Sequence, residues 1–469
     1  MDKYKKLMKN SGIFFVANFG SKILSFLLVS VYTHVLTSAE YGIADIVVTT
    51  ISFIVPLFTL SISEAALRFA MDKNINLENI ISNCIFILCI GGVLVVLCHP
   101  LLIKIRVIEE YIFIFYILLF ANGTNIVLAQ LCRGAGYVKE YAVSGIISTV
   151  VLISSNIILL LWVRMGVRGY LVSIIISYIV SSIYICCILR INEIKFQLNK
   201  VLMKKMVIYS APMIPNAFSW WAITAADKYV LLYYVGTTAN GIYVVAQKLP
   251  SIINMISGLF LQSWQLSAVD EAMAEDQENF YSQVFSFLST SMILVTSLII
   301  LILKPLCTIW IAEEYFITWK YIPILLLANM FSCYSQFVGT NYMVMKKTMG
   351  NLKTAFLGCV INIILNLVLI PQFGIHGASI STFISFLVTW IFRVIDTKKY
   401  VKLKIDFFSI IISCTIIFSQ YILQMMDMTI ILQVNLFVLL CFFHKKNIRK
   451  MVGGVKSIIK RRMMYGRTN

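Results

Sequence analysis

The chain has 469 residues, of which 60% are hydrophobic and 13% charged, with a formal net charge of +18. A soluble domain carries about 25% charged residues, so this composition excludes an ordinary soluble enzyme and points to an all-α polytopic membrane protein. The excess of positive charge does not indicate nucleic acid, because the basic residues sit between apolar runs, the pattern of a membrane face.

Fourteen apolar segments are long enough to cross a hydrocarbon core of about 30 Å. They cover 12–36, 43–63, 80–103, 111–131, 142–163, 167–189, 207–235, 240–266, 281–303, 319–345, 353–371, 374–393, 405–424 and 428–444. The basic start MDKYKKLMKN runs straight into the first segment with no small-residue cleavage site, so that segment is expected to stay as a signal anchor. With the first residues inside, 30 of the 39 lysines and arginines fall on inner segments and 6 on outer loops, while Lys22, Lys228 and Lys248 lie within spans. This bias predicts an even number of spans with both ends on the cytoplasmic side. The inner loop from Asp270 to Glu278 is acidic instead, but acidic residues weigh little in the rule. The basic tail at 446–469 is expected to lie along anionic lipid.

The halves of the sequence repeat. TSAEYGIADIVV after the first span answers GTTANGIYVVAQ after the seventh, matching Gly42 with Gly241. Farther on, Gly136 matches Gly350, Lys139 matches Lys353, Asn156 matches Asn366, and Gly166-x-x-Gly169 matches Gly374-x-x-Gly377. Six spans therefore recur in the same orientation, which predicts two lobes related by an axis along the membrane normal. The expected division is 1–195 and 196–400 for the lobes, 401–445 for two extra spans, and 446–469 for the tail.

The seventh and eighth spans hold the strongest functional signal. Between Pro212 and Trp264 two runs of spanning length enclose Asp227, Lys228, Gln247 and Lys248. A charge at membrane depth costs roughly 2.5–3.5 kcal/mol even on lenient scales, so such residues are expected to face a bundle interior or a watery cavity. Pro212, Pro215 and Pro250 in the same runs predict bent helices. Charge inside bent helices is the pattern of a transporter.

Lys22 lies about 15 Å into the first span at 1.5 Å per residue, too deep for easy snorkelling, and is read as facing a cavity. Asp227 and Lys228, about 100° apart on a helix, point to different neighbours, so both a structural ion pair and a ligand contact remain open. The same two readings stand for Lys248. Asp45, near the outer start of the second span, reads as interfacial. Glu64 and Arg68 are spaced for an i,i+4 salt bridge. Asn122, Asn125, Gln130, Gln336 and Asn341 form polar stripes on the fourth and tenth spans, read as inter-helix hydrogen bonds ahead of sugar contacts. Trp220, Trp221 and Trp264 read as packing or interfacial residues ahead of sugar platforms.

No catalytic signature appears. The eleven cysteines lie almost entirely in apolar runs, with no CxxC pair and no Cys/His spacing suited to zinc, so neither a metal nor a cofactor is expected. There is no phosphate-binding Gly-Lys-Ser/Thr loop, no HExxH and no Gly-x-Ser-x-Gly elbow. A lipid-linked glycosyltransferase would place carboxylates on an outer loop. Glu40, Glu109, Glu110, Glu313 and Glu314 are available, but those loops are too short to hold a domain. A polysaccharide polymerase would show a larger outer loop.

Three blocks carry a family resemblance: NFGSKILSFLLVSVYTHVLTSAEYG, SAPMIPNAFSWWAITAADKYVLLYYVGTTANGIYVVAQKLP and NIILNLVLIPQFGIHGASISTFIS. In these, and over nearly its whole length, the chain resembles the polysaccharide repeat-unit flippases, the O-antigen and capsule transporters of the multidrug/oligosaccharidyl-lipid/polysaccharide exporter superfamily. The shared features are the proline-rich start of the seventh span, Asp227-Lys228, and the Gly-x-Tyr after the turn. Val31 precedes Tyr32 where the family often has proline. The resemblance implies translocation of undecaprenyl-diphosphate-linked oligosaccharide across a bacterial cytoplasmic membrane by alternating access. It also implies membrane lipid as a partner and allows a polysaccharide polymerase and chain-length machinery. Lys22, Asp227, Lys228, Gln247 and Lys248 are the expected cavity residues, with the three lysines converging on the diphosphate. A multidrug or cation antiporter of the same fold, which would rather hold carboxylates in its cavity, is the alternative. A structural membrane partner of a polysaccharide synthase complex is a third reading.

Overall fold

A computed structural model of the chain describes residues 26–72, 74–270, 275–345 and 347–450. Lys22, the middle of the acidic inner loop and the tail beyond 450 lie outside the described residues. The described residues are helical, with no strand among them. Among the described residues, the helices that correspond to the fourteen expected spans are α1 (Phe26–Val35), α2 (Ser38–Phe58), α3 (Leu77–Leu97), α4 (Ile112–Gly134), α5 (Val138–Trp162), α6 (Gly166–Ile188), α7 (Met213–Tyr234), α8 (Thr237–Asp270), α9 (Gln277–Leu301), α10 (Ile322–Val344), α11 (Thr348–Phe373), α12 (Ile375–Thr397), α13 (Phe407–Met425) and α14 (Ile430–Phe443). Ten of them are both long and apolar enough to cross a membrane by length and composition alone. At 34 residues, α8 is about 50 Å long at 1.5 Å per residue.

The chain forms two compact units, Met1–Gly241 and Ile242–Asn469. The same pairings recur in each half: α5 packs on α6 and α4 on α6, as α11 packs on α12 and α10 on α12. The corner glycines repeat as well. Gly166 and Gly374 both take positive φ, 55° and 54°, which a residue with a Cβ adopts only with strain. In the second unit α13 and α14 pack on each other and on α9, which in turn packs on α10. Almost all of α10 is consequently buried, with Tyr334, Phe337 and Phe331 at its centre.

Several local expectations differ from what is found. The second span does not run unbroken to residue 63. After Phe58 the chain turns through Leu60 and Ser61, both left-handed, before a further helix over Ile62–Ala70. Pro212 and Pro215 do not bend α7; they start it. At the first turn the missing N–H falls among groups with no intrahelical acceptor, and the chain breaks cleanly from the preceding helix, Lys200–Ser210. Pro250 does lie inside a helix, α8. Glu64 and Arg68, both exposed, form no ion pair; such a surface pair gains too little to hold two long side chains in place. The loop expected to be the longest on the outer side is folded, as a helix over Leu303–Trp310 and a 3-10 helix over Glu313–Lys320. There Lys304 donates to Asp427 and to Gln424 O (2.8 Å), with its ammonium 4.0 Å from the Trp319 ring centroid.

Candidate functional site

The charged stretch of α7 meets α2. Consecutive helical residues point about 100° apart, and here the two charges separate as that geometry requires. Lys228 turns toward α2, where its Nζ donates to Asp45 Oδ1 at 3.0 Å and forms an ion pair with Oδ2 at 2.8 Å. The two side chains are only 12% and 13% exposed. Asp45 lies seven residues into α2, about 10 Å along the helix, so the pair sits within the span and not at its rim. Thr49 Oγ1, one turn on, donates to Asp45 Oδ2 (3.3 Å) and lies 3.4 Å from Lys228 Nζ. The pair is thus matched in charge and wrapped in hydrogen bonds, the condition under which buried ions are tolerated.

Around it α7 and α2 are fastened by polar and aromatic contacts. Trp221 Nε1 donates to Thr49 O (3.1 Å), and Tyr229 OH and Thr50 Oγ1 are 2.6 Å apart. Phe53 packs edge-on to Phe218 and tilted against Trp221, with centroids 4.5 and 4.4 Å apart. Trp221 therefore packs, as expected, and so does Trp264, stacked on Phe337 at 4.4 Å. Asp227 is 2% exposed, and its Oδ1 accepts the backbone N–H of Lys228 at 2.9 Å.

The repeat-equivalent glycines 42 and 241 touch. A Cβ on Gly42 would lie 2.1 Å from Thr237 O, and one on Gly241 would lie 1.8 Å from Ser38 O. Ser38 and Thr237 are themselves equivalent, so the contact is symmetric in the repeat. Asn240 Nδ2 closes it by donating to Gly42 O at 3.0 Å. Only the absence of side chains allows the helix starts to approach so closely.

Of the five residues expected at the cavity, Asp227 and Lys228 are within the first unit and flank the Asp45 pair. Gln247 and Lys248 are half-buried on α8, in the second unit. Lys22 lies outside the described residues. Two residues escaped the sequence reading. Asp45 was assigned to the interface, yet it holds the buried lysine; the signal was the Asp45/Thr49 pair one turn apart on a face that needed a partner for Lys228. Arg393 was counted with the cytoplasmic loop, but α12 continues a further turn and buries it to 6% exposure. Its guanidinium donates to Ser335 O (2.9 Å), Asn351 Oδ1 (2.6 Å) and Thr354 Oγ1 (3.1 Å), tying α12 to α10 and α11.

Residues 7–264 match the family described as polysaccharide biosynthesis protein. An uncharacterized membrane protein of Methanocaldococcus jannaschii is 27% identical over 215 residues, 42% of this chain and 42% of that protein, so the chain matches less than half of that relative's length. Among solved structures, the lipid II flippase MurJ in an inward closed conformation is similar with a TM-score of 0.72 at 15% identity, covering 94% of this chain and 99% of that one. An inward-facing multidrug resistance MATE family transporter of the MOP superfamily is similar at 0.67 and 14% identity, covering 81% and 95%. At such identities the likeness is one of fold. The family match covers more than half the sequence, and the chain belongs to the polysaccharide biosynthesis protein family of multi-pass membrane proteins.

Proposed function

We propose that the protein moves an oligosaccharide linked to undecaprenyl diphosphate from the cytoplasmic to the outer leaflet of a bacterial cytoplasmic membrane, by alternating access. The observation that carries the reading is the Lys228–Asp45 pair within the span. A lysine already paired at membrane depth is an anion site in its resting state, with Asp45 standing where a phosphate oxygen would stand. Exchange of one oxyanion for another keeps the ammonium neutralised throughout. At an effective dielectric near 20, two unit charges 4 Å apart interact by about 4 kcal/mol, so an unpaired intermediate would be costly and a direct exchange is favoured. Thr49, Thr50 and Tyr229 supply hydroxyls beside the site, and Trp221 an aromatic face. Lys22 and Lys248 are the further basic residues that the proposal assigns to the substrate.

A cation or drug antiporter of the same fold is the second reading, and one observation favours it. Asp45 and the buried Asp227 flank a single lysine, so the described part of the site is not net cationic. Deleting the gene and analysing lipid-linked intermediates separates the two. Accumulation of a complete repeat unit facing the cytoplasm supports the flippase; a normal pool with altered dye resistance supports the antiporter.

A further inference from the structure

The second unit contains a cavity of about 300 Å³ that has no part in the α2–α7 site. It opens where α9 and α13 begin and α14 ends, the face that the lysine and arginine bias assigns to the cytoplasm. Lys404, Lys446 and Lys450 surround it, with one carboxylate, Asp406. That carboxylate is engaged: its Oδ1 accepts the N–H of Ser409 (3.0 Å) as the N-cap of α13. Lys404 Nζ is turned to Asn279 Oδ1 at 3.0 Å. Neither Lys446 nor Lys450 makes an ion pair among the described residues. The floor is polar and buried. Thr290 is 1% and His444 4% exposed; Thr290 Oγ1 accepts from Asn447 Nδ2 (3.0 Å) and lies 3.4 Å from His444 Nδ1, while His444 Nε2 is 2.9 Å from Ser413 Oγ.

We infer that this cavity is a binding site for the phosphate of an ester, presented by an anionic lipid headgroup at the membrane face. A rim of uncompensated ammonium groups over a floor of hydroxyl and imidazole groups is suited to phosphate oxygens. The volume is at the small end for ligand pockets, which fits a headgroup and excludes an oligosaccharide. Phe407, Phe408, Ile411 and Phe442 beside the opening are exposed, an apolar wall for acyl chains next to the charged rim. Free phosphate shares the headgroup chemistry but would leave that wall unused. The site is formed by α9, α13 and α14, and does not depend on which solute the protein moves.

The test uses the full chain purified in detergent, with retained lipid read by native mass spectrometry. Phosphatidic acid is compared with phosphatidylcholine, and inorganic phosphate is followed separately by phosphorus NMR. The chain is expected to prefer phosphatidic acid, and joint Lys446→Gln and Lys450→Gln substitution to reduce that preference about tenfold or more. Joint Lys446→Arg and Lys450→Arg substitution should retain it. Thr290→Val, which keeps every charge, should reduce it several-fold and so identify the floor. Loss of inorganic phosphate binding in the glutamine variant, with no lipid preference at the outset, would overturn the lipid source and leave a free phosphate site. A glutamine variant with unchanged melting and unchanged retention of both probes would overturn the site altogether.

Discussion

The tripeptide Gly-Thr-Asn occurs at 123–125 in α4 and again at 339–341 in α10, at matching places in the two halves, and is used differently in each. In the first half Gly123 admits the Phe58 ring, which a Cβ would meet at 2.4 Å, and Asn125 Nδ2 donates to Tyr178 O (3.3 Å) and Ser182 Oγ (3.1 Å) on α6. In the second half Gly339 admits the Arg393 guanidinium, which a Cβ would meet at 2.7 Å. Asn341 there is fully buried, and neither amide atom has a hydrogen-bond partner among the described residues. Counted from the equivalent Gly166 and Gly374, Ser182 corresponds to Trp390 and Ile185 to Arg393. One half fastens its helices through an asparagine, the other through an arginine. Where α6 has Ser182 and Ile185, α12 has Trp390 and Arg393, so the polar fastener lies about one turn farther along and Asn341 has no partner among the described residues.

The largest effect is expected where the halves are alike. Gly42→Ala and Gly241→Ala each drive a methyl into a backbone carbonyl and should each lower stability by about 3 kcal/mol, or prevent folding, in thermal unfolding of the purified protein. Gly145→Ala, with nothing within 4 Å, should be neutral or gain about 0.5–1 kcal/mol. Equal tolerance at all three sites would show that the glycine contact is not close. Next comes Arg393→Ile, which copies the first half. It removes three charged hydrogen bonds from buried acceptors and should cost about 2–3 kcal/mol in the same assay; a loss under about 0.5 kcal/mol would deny the arginine its fastening role. The asparagines should then diverge. Asn125→Leu is expected to cost about 1 kcal/mol, and Asn341→Leu to be neutral or stabilising, because it replaces an unpaired polar group by an apolar one. Equal losses would erase the distinction between the halves.

The smallest effect concerns the Lys304–Asp427 brace of the second half. The hydrogen bond from Lys304 holds the Asp427 carboxyl below its ordinary range. A carboxyl depressed in the folded state stabilises fully above the unfolded value, near 4, and the contribution is lost as pH falls through the folded value. Asp427→Asn should therefore lower the melting temperature slightly at pH 7 and not at all at the acid end. A deficit that persists at low pH would assign the effect to packing.

The all-helical membrane fold, the repeat and its corner glycines could be read from hydropathy and matched residues, because lipid demands long apolar helices and a positive φ demands glycine. The ion pair could be read only in half. Lys228 stood out because a charge in an apolar run is costly whatever surrounds it, but its partner lies 183 residues away and looked interfacial on its own helix. Arg393 was hidden by a helix end misplaced by about one turn, enough to move it from loop to interior. The break at Leu60 and Ser61 gives no local signal, since neither residue favours the left-handed conformation it adopts. The helical register of Asp227 and Lys228 separated the charges, as adjacency requires, but nothing in the sequence said which one would face α2.

The most direct test of the anion-exchange account is binding of an undecaprenyl-diphosphate oligosaccharide to the full chain in lipid nanodiscs. Wild type, Lys228→Arg, Lys228→Gln and Asp45→Asn would be compared. The account predicts that Lys228→Gln weakens binding at least about tenfold and that Lys228→Arg retains much of it. Asp45→Asn, by removing the competing internal carboxylate, should bind as well as wild type or better while transport slows. Unchanged binding by a folded Lys228→Gln variant, or binding lost in Asp45→Asn and kept in Lys228→Gln, would contradict the claim that Lys228 exchanges Asp45 for the diphosphate.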